Sequence, residues 1–298
     1  MIDSLSAPIG IIDIGSNSVR LVVFEAPYLN ERPIFNEKVQ CGLGDDLDTT
    51  GRLNPEAKDR TIQTLTGFVS LARAMKIGHL IPIATAAMRD AADGADFITD
   101  IKAQTGLDIT IISGEDEARY SGLGVLAGFP GAKGVAGDLG GGSLELATLK
   151  NGSVHDTLSL PIGVLRILGK GGAAEHYLDS HIASIPAAYT GQARFYMIGG
   201  TWRALTYGYL MERGKKVSSI HGYKMQADAL RPFAETLART SPQDIINRYH
   251  FEQRRAELLP AAALLMAKLL PALSVTSVIV STSGLRDGLL HAYLNGKI

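Results

Sequence analysis

The sequence predicts an α/β protein made of two copies of one mixed-sheet unit. Three observations carry this expectation. The phrases "DIGSNSVRL", opened by Asp13, and "DLGGGSLEL", opened by Asp138, match in register, with an acid, a Gly, a Ser and a Leu at equivalent offsets. In each half, hairpin-like strands come first, and helical and strand segments then alternate. At 298 residues the chain is long enough for two ordinary domains. The loop-like "LAGFPGAKG" sets the expected boundary near 126–133, giving domains 1–128 and 129–298 with a cleft between them.

Each element has its own signal. "IGIIDIG" and "SVRLVVFEA" are strand-like runs joined by Gly15-Ser16-Asn17, which reads as a hairpin. A polar loop with Gly42, Gly44 and Gly51 follows. Pro55, pre-set for the first helical position, opens a helix through about Met75. "HLIPIATAAM" reads as a buried strand running into a loop. A helix over about 93–105, the strand "LDITIIS" and a helix from near Gly114 complete the first unit. "GVAGDLGG" restarts the pattern, "SLELATLKNG" and "SVHDTLSLPIG" form a meander, and helices then alternate with "ARFYMIGG" and "TSVIVSTSG".

Composition narrows the function. The chain is 46% hydrophobic and 20% charged, the balance of a folded globular protein. With 29 basic and 30 acidic residues there is no global field for nucleic acid, and none is expected as a partner. Cys41 is the only cysteine, which excludes an intramolecular disulfide framework and a Cys-rich zinc site and fits a reducing compartment. The seven histidines contain no HExxH and no close metal-ligand pair. "PIGIIDIG" carries Asp13 and lacks a preceding basic region, so no signal peptide is expected. "LLPAAALLMAKLLPALSVTSVIV" is interrupted by Lys268 and Pro271 and reads as a buried helix and strand, not a membrane span. The expectation is a cytoplasmic protein with no membrane partner.

The repeated phrase points to phosphate chemistry. A tip of Gly, Ser and Asn turns several N–H groups to one side and adds hydroxyls, a concavity suited to phosphate oxygens. The acid ending the preceding strand can hold Mg²⁺ directly or through water. Alternation puts Ser18 and Arg20 on one face with Val19 and Leu21 opposite, and pairs Ser143 with Glu145 against Leu144 and Leu146. One such hairpin is common; two in register predict a phosphate clamp, one loop from each domain. In "SGEDEAR", Ser113 or Gly114 can cap a helix whose first turn holds Glu115, Asp116 and Glu117, where each acid complements the dipole by about 0.3–1 kcal/mol. Arg89 in "ATAAMRD" can hold terminal phosphate oxygens bidentately, or stand as a solvated charge. Arg166 and Arg286 are weaker candidates for phosphate contact or interdomain salt-bridge partners, whereas "RGKK" (Arg213 to Lys216) and "EQRRAE" (with Arg254 and Arg255) read as solvated helix or loop ends or a polyphosphate track.

In order, "IDIGSNSVRLVVFE", "IATAAMRDA", "ISGEDEARYSGLGV", "GDLGGGSLELA", "LPIGVLRI" and "STSGLRDGLL" resemble the Ppx/GppA family of exopolyphosphatases and guanosine pentaphosphate phosphohydrolases, over about residues 9–290. That family lies within the actin, Hsp70 and sugar-kinase superfamily, so the resemblance implies two ribonuclease H-like, actin-like ATPase domains. It implies a Mg²⁺-dependent phosphoanhydride hydrolase, with K⁺ as a candidate activator. The implied substrate is inorganic polyphosphate; the alternatives are guanosine pentaphosphate or a non-catalytic nucleotide or alarmone sensor. It selects Glu117 as the base that activates water, with Asp138, Glu145 and Arg89 as its catalytic company. Asp13, Asp138 and Glu145 become metal candidates. Gly15, Ser16, Asn17, Ser18, Arg20, Gly140, Gly141, Gly142 and Ser143 become phosphate ligands. Gly199, Gly200 and Thr201 in "GGTWRAL" take the nucleotide side, or form only a tight turn. A homodimer is a family expectation. Longer relatives carry extra helical C-terminal domains, and the short two-domain form is expected here.

Overall fold

The computed structural model describes residues 7–25 and 33–298. In chain order the first elements are β1 (Ile9–Ile14), β2 (Ser18–Phe24), β3 (Pro33–Gln40), α1 (Leu47–Thr50), α2 (Pro55–Ala74), β4 (His79–Ala84), α3 (Ala86–Asp90), α4 (Gly94–Thr105), β5 (Thr110–Ile111) and α5 (Gly114–Gly128). There follow β6 (Gly134–Leu139), β7 (Leu144–Lys150), β8 (Ser153–Leu160), α6 (Val164–Gly169), α7 (Ala174–Ile182), β9 (Arg194–Ile198), α8 (Gly200–Glu212), β10 (Lys224–Gln226), α9 (Ala227–Ala238), α10 (Pro242–Tyr249), α11 (Gln253–Leu273), β11 (Ser277–Val280) and α12 (Leu285–Leu294). Two compact units result: Met1–Glu117 with Ala292–Ile298, and Ala118–His291. In the first, the Tyr293 ring stacks on His79 at 4.5 Å and ties the C-terminal residues to β4.

This is an α/β protein with two mixed sheets. The first unit's five strands run β3-β2-β1-β4-β5, and the second unit's six run β10-β11-β9-β6-β7-β8. Taken from its other edge, the second sheet reads β8-β7-β6-β9-β11 and then β10, so five strands correspond one for one. Both central strands, β1 and β6, pair antiparallel with the next strand and parallel with the fourth, β4 or β9. Asp13 faces Arg20 across the first hairpin, and Asp138 faces Glu145 across the second. The repeated phrase is thus a repeated supersecondary unit.

The central strands are covered on both faces. All of β1 except Asp13 is buried, and all of β6 except Asp138, hence near-continuous small and apolar runs rather than alternation. α2 begins where the Asn54 side chain accepts a hydrogen bond from the Ala57 N–H at 2.9 Å with Pro55 in the first turn. It buries Ala57, Thr61, Leu65, Phe68 and Ala72 along one stripe. The segment after Leu258 forms the end of α11 and then β11, as expected. α11 is long and apolar enough by composition to cross a membrane, yet twelve of its residues are buried, and the Trp202 indole donates to its Ala262 carbonyl at 3.2 Å.

Several local expectations are corrected. β3 was not anticipated: its residues are mostly exposed, so no apolar period marks it, and pairing with β2 alone makes it a strand. "HLIPIATAAM" ends not in a loop but in the helical turn of α3. "LDITIIS" pairs over only Thr110–Ile111, parallel to β4. α5 extends through Gly128, so the start of the loop-like 126–133 segment is helical. Ala26, the last residue of the expected second strand, lies outside the described residues.

One polar knot braces the first unit. The buried Asp93 carboxylate accepts from the Leu53 N–H at 2.9 Å and the Lys58 ammonium at 3.3 Å, with Arg52 at 3.9 Å. Burial pushes its pKa up, but the Leu53 N–H and Lys58 overcome this and hold it below the ordinary carboxylate value. Stabilisation from this shift is complete above that value and lost as pH falls through the folded pKa. Asp93→Ala should cost roughly 2–4 kcal/mol in urea unfolding at neutral pH. The gap to the parent should narrow below about pH 4; a gap constant down to acid pH would refute this account.

Candidate functional site

Both hairpin tips are held by the same device. In the first, the Gly15 N–H bonds the Ser18 carbonyl at 3.0 Å. The carbonyls of the next two residues are then taken from behind: Gly44 N–H donates to Ser16 at 2.7 Å, and the Cys41 and Gly42 N–H groups both donate to Asn17 at 3.1 Å. Gly44 is needed for this approach, since a Cβ there would sit 2.8 Å from the Ser16 Cβ. Arg60 secures the bracing segment by donating Nε and Nη2 to the Cys41 carbonyl. With their carbonyls so engaged, the N–H groups of Ser16 and Asn17 donate to no acceptor among the described residues. Adjacent free amides of this kind can serve as the donors of an anion-binding nest. Arg20, one face along β2, is aimed by a 2.7 Å bond from its Nε to Asn36 Oδ1.

The second tip repeats the arrangement with other residues. Gly140 N–H bonds the Ser143 carbonyl at 3.0 Å. The start of α6 takes the remaining carbonyls: Val164 N–H to Gly140 at 3.1 Å, Leu165 N–H to Gly141 at 2.9 Å, and Arg166 Nε to Gly142 at 2.8 Å. Gly163 lies flat against the tip, where a Cβ would fall on Gly141 O and Ser143 N. The N–H groups of Gly141 and Gly142 again have no acceptor among the described residues. Arg166 therefore secures the loop's shape.

The acids beside the second tip are held too. Ser121 Oγ donates to Asp138 Oδ2 at 2.7 Å, and Ser159 Oγ donates to Glu145 Oε1 at 2.8 Å. Glu145 is only 2% exposed, so the polar face of β7 is enclosed, not open to solvent. Asp138 and Glu145 are cross-strand partners, which makes them two hard oxygen donors on one face. Among the described residues no group of three or more His, Cys, Asp or Glu could hold a metal ion by itself. Such a pair suits Mg²⁺ that draws its other ligands from water and substrate phosphates, the usual habit of that ion.

In the first unit, Glu117 and Arg89 come together. Ser113 caps α5, bonding the Asp116 N–H at 3.0 Å and the Asp116 carboxylate at 2.8 Å, which accounts for one acid of "GEDE" as a cap. Glu117, one residue on, is buried. Its Oε2 receives Arg89 Nη1 at 3.1 Å, and the same Nη1 reaches the Ile112 carbonyl at 3.1 Å. Arg89 Nε lies 3.5 Å from Asp90, which leaves Nη2 without an acceptor among the described residues.

Gly199 has φ +111°, and a Cβ there would lie 2.6 Å from the Leu139 carbonyl, so the β9–α8 turn through Gly199, Gly200 and Thr201 abuts the root of the second hairpin. Of the basic clusters, Arg213 stacks on the Tyr209 ring at 3.6 Å and Arg254 lies 3.7 Å from Glu257 one turn along its helix. The bracing roles of Ser121, Ser159, Gly163 and 41–44 are not legible in sequence, although Ser121 lies within "ISGEDEARYSGLGV", Gly163 within "LPIGVLRI", and Gly42 and Gly44 within the polar loop.

A family model described as the Ppx/GppA phosphatase family matches residues 22–296. Exopolyphosphatase 1 of Mycobacterium tuberculosis H37Rv is 26% identical over 309 residues, covering 97% of this chain and 89% of that protein. Its Mycobacterium leprae namesake is 26% identical over 313 residues, with 97% and 90% covered. The crystal structure of the Aquifex aeolicus Ppx/GppA family member has TM-score 0.80 at 25% identity over 98% of both chains. An exopolyphosphatase from Cytophaga hutchinsonii shares the fold at TM-score 0.87 and 24% identity, with 97% and 98% covered.

Proposed function

The chain belongs to the Ppx/GppA phosphatase family, and from that premise we propose that it is an exopolyphosphatase, a hydrolase of the terminal phosphoanhydride of inorganic polyphosphate. The observation that carries the reading is the pair of braced hairpin tips, each with an acid at its root and two backbone N–H groups left for an anion. Each tip binds phosphoryl oxygens of the substrate through those amides, the first with Ser18 and Arg20 and the second with Ser143. Asp138 and Glu145 would hold Mg²⁺, which when bound neutralises phosphate charge. Glu117 accepts a proton from water as its oxygen attacks the terminal phosphorus. The anhydride P–O bond breaks, its electron pair stays with the shortened chain, and orthophosphate is released. Arg89 orients the Glu117 carboxylate, and its spare Nη2 is available to a terminal phosphate oxygen.

The test is side-by-side orthophosphate release from polyphosphates of several lengths, guanosine pentaphosphate and ATP, with Mg²⁺. Release from polyphosphate at the highest kcat/KM is expected. Preference for guanosine pentaphosphate would move the assignment to that substrate, and tight binding without release of phosphate from any of them would make the protein a sensor.

A further inference from the structure

The second unit carries a guanidinium with no use inside the protein. Arg203, in the first turn of α8, makes no side-chain hydrogen bond or ion pair with any described residue. The side chain curls back over the start of its own helix, its Nη2 3.9 Å from where a Gly200 Cβ would stand. Two contacts place that spot beside the second hairpin. β9 runs next to β6 with Ile198 paired to Asp138, and Gly199 presses on Leu139. Gly284, just before α12, would set a Cβ 3.5 Å from Asp138 Oδ2 and 2.6 Å from Ile198 Cγ2, which brings the root of Arg286 to the same strand ends.

Arg286 and Arg255 are close enough to repel Arg203, while Asp138 and Tyr207 act on it with the opposite sign. Asp138 already accepts from Ser121. Burial, then Arg286, lower the Arg203 pKa against the pull of Asp138. A half-buried cation without its own acceptor, among other cations, is a cost to the empty protein. It becomes favourable when an anion with several oxygens arrives, because a guanidinium pairs with phosphate through two parallel bonds.

We propose that Arg203 is a substrate-binding residue that holds the phosphate on the leaving-group side of the scissile anhydride, so that this protein favours phosphoanhydride chains over single phosphates. This rests on the reading that the Gly140–Ser143 tip takes the terminal phosphoryl group. The next phosphate then lies one strand over, at the β9–α8 turn, where Arg203 meets the charge left on the departing oxygen.

The experiment uses the full chain with Glu117→Gln to prevent turnover, alone and combined with Arg203→Met or Arg203→Lys. Calorimetric titration with tripolyphosphate and with orthophosphate is paired with the thermal midpoint of the unliganded proteins. Arg203→Met should weaken tripolyphosphate by about ten- to a hundredfold and orthophosphate by no more than about threefold. Its unliganded midpoint should stay level or rise, since an unpaired charge has been removed, and Arg203→Lys should recover part of the affinity. Unchanged tripolyphosphate affinity would overturn the proposal. So would a lowered midpoint with equal loss of both ligands, which marks a merely structural arginine. A parent that hydrolyses polyphosphate while the Met variant binds normally sinks the Arg203 role alone. A parent that hydrolyses nothing, with tripolyphosphate still lost on Arg203→Met, sinks only the hydrolase reading.

Discussion

Glu117→Gln should lower kcat for polyphosphate by about 10²–10⁴-fold and leave KM within about threefold. Glutamine keeps the shape of the side chain, and its amide oxygen can still receive Arg89 Nη1, now at 3.1 Å from the carboxylate. What it lacks is a site to take the proton of the attacking water. The stability cost should be modest, roughly 1–2 kcal/mol, because a charge-assisted bond becomes a neutral one while its geometry survives. Single-turnover phosphate release, with circular dichroism to confirm folding, reads both quantities. Activity within tenfold of the parent would move the base elsewhere; among the described residues Asp90, adjacent in sequence and 3.5 Å from Nε, is the other acid at Arg89.

Gly163→Ala should be the most damaging single methyl group beside the second unit's hairpin tip. Its backbone angles, φ −70° and ψ 161°, suit alanine, so conformational preference is not the objection. The objection is contact: the new Cβ would fall on Gly141 O, which already accepts from the Leu165 N–H, and on Ser143 N, whose own carbonyl is bonded by the Gly140 N–H. Neither side can yield without breaking the bonds from Val164, Leu165 and Arg166 that aim the tip's amides. We expect a loss of roughly 1–3 kcal/mol in stability and at least about a tenfold rise in KM for polyphosphate. Gly172→Ala is the control, since nothing lies within 4 Å of its Cβ position, and it should be neutral within about 0.5 kcal/mol. Equal behaviour of the two variants would show that the α6 start does not shape the loop.

Such bracing contacts could not be read from the chain, and the reason is physical. Gly163, Ser121, Ser159 and Arg166 act on hairpin residues 14 to 24 positions away, through bonds that exist only once the sheet has formed. Arg89 is similar. Its residue type suggested a phosphate ligand, but its partnership with Glu117, 28 residues on, depends on β4 and β5 lying side by side. Strand β3 was missed because exposed residues on both faces leave no period to detect. β10 is only three residues long and pairs antiparallel with β11, a partner 51 to 55 residues later.

Local chemistry by itself determined a good deal. Hydrophobic strands leading into Asp-headed glycine and serine turns favour hairpins, because the strands bury their apolar residues and the turn residues suit the exposed tip. Writing that pattern twice in register was enough to specify two matching mixed sheets and the positions of the acids and tip amides. Tertiary structure alone decided which carbonyls are tied back, which carboxylates are enclosed, and that the half-buried Arg203 guanidinium makes no hydrogen bond or ion pair among the described residues. Periodicity and turn preference act over a few residues, whereas burial and charge pairing depend on neighbours that only the folded chain brings together.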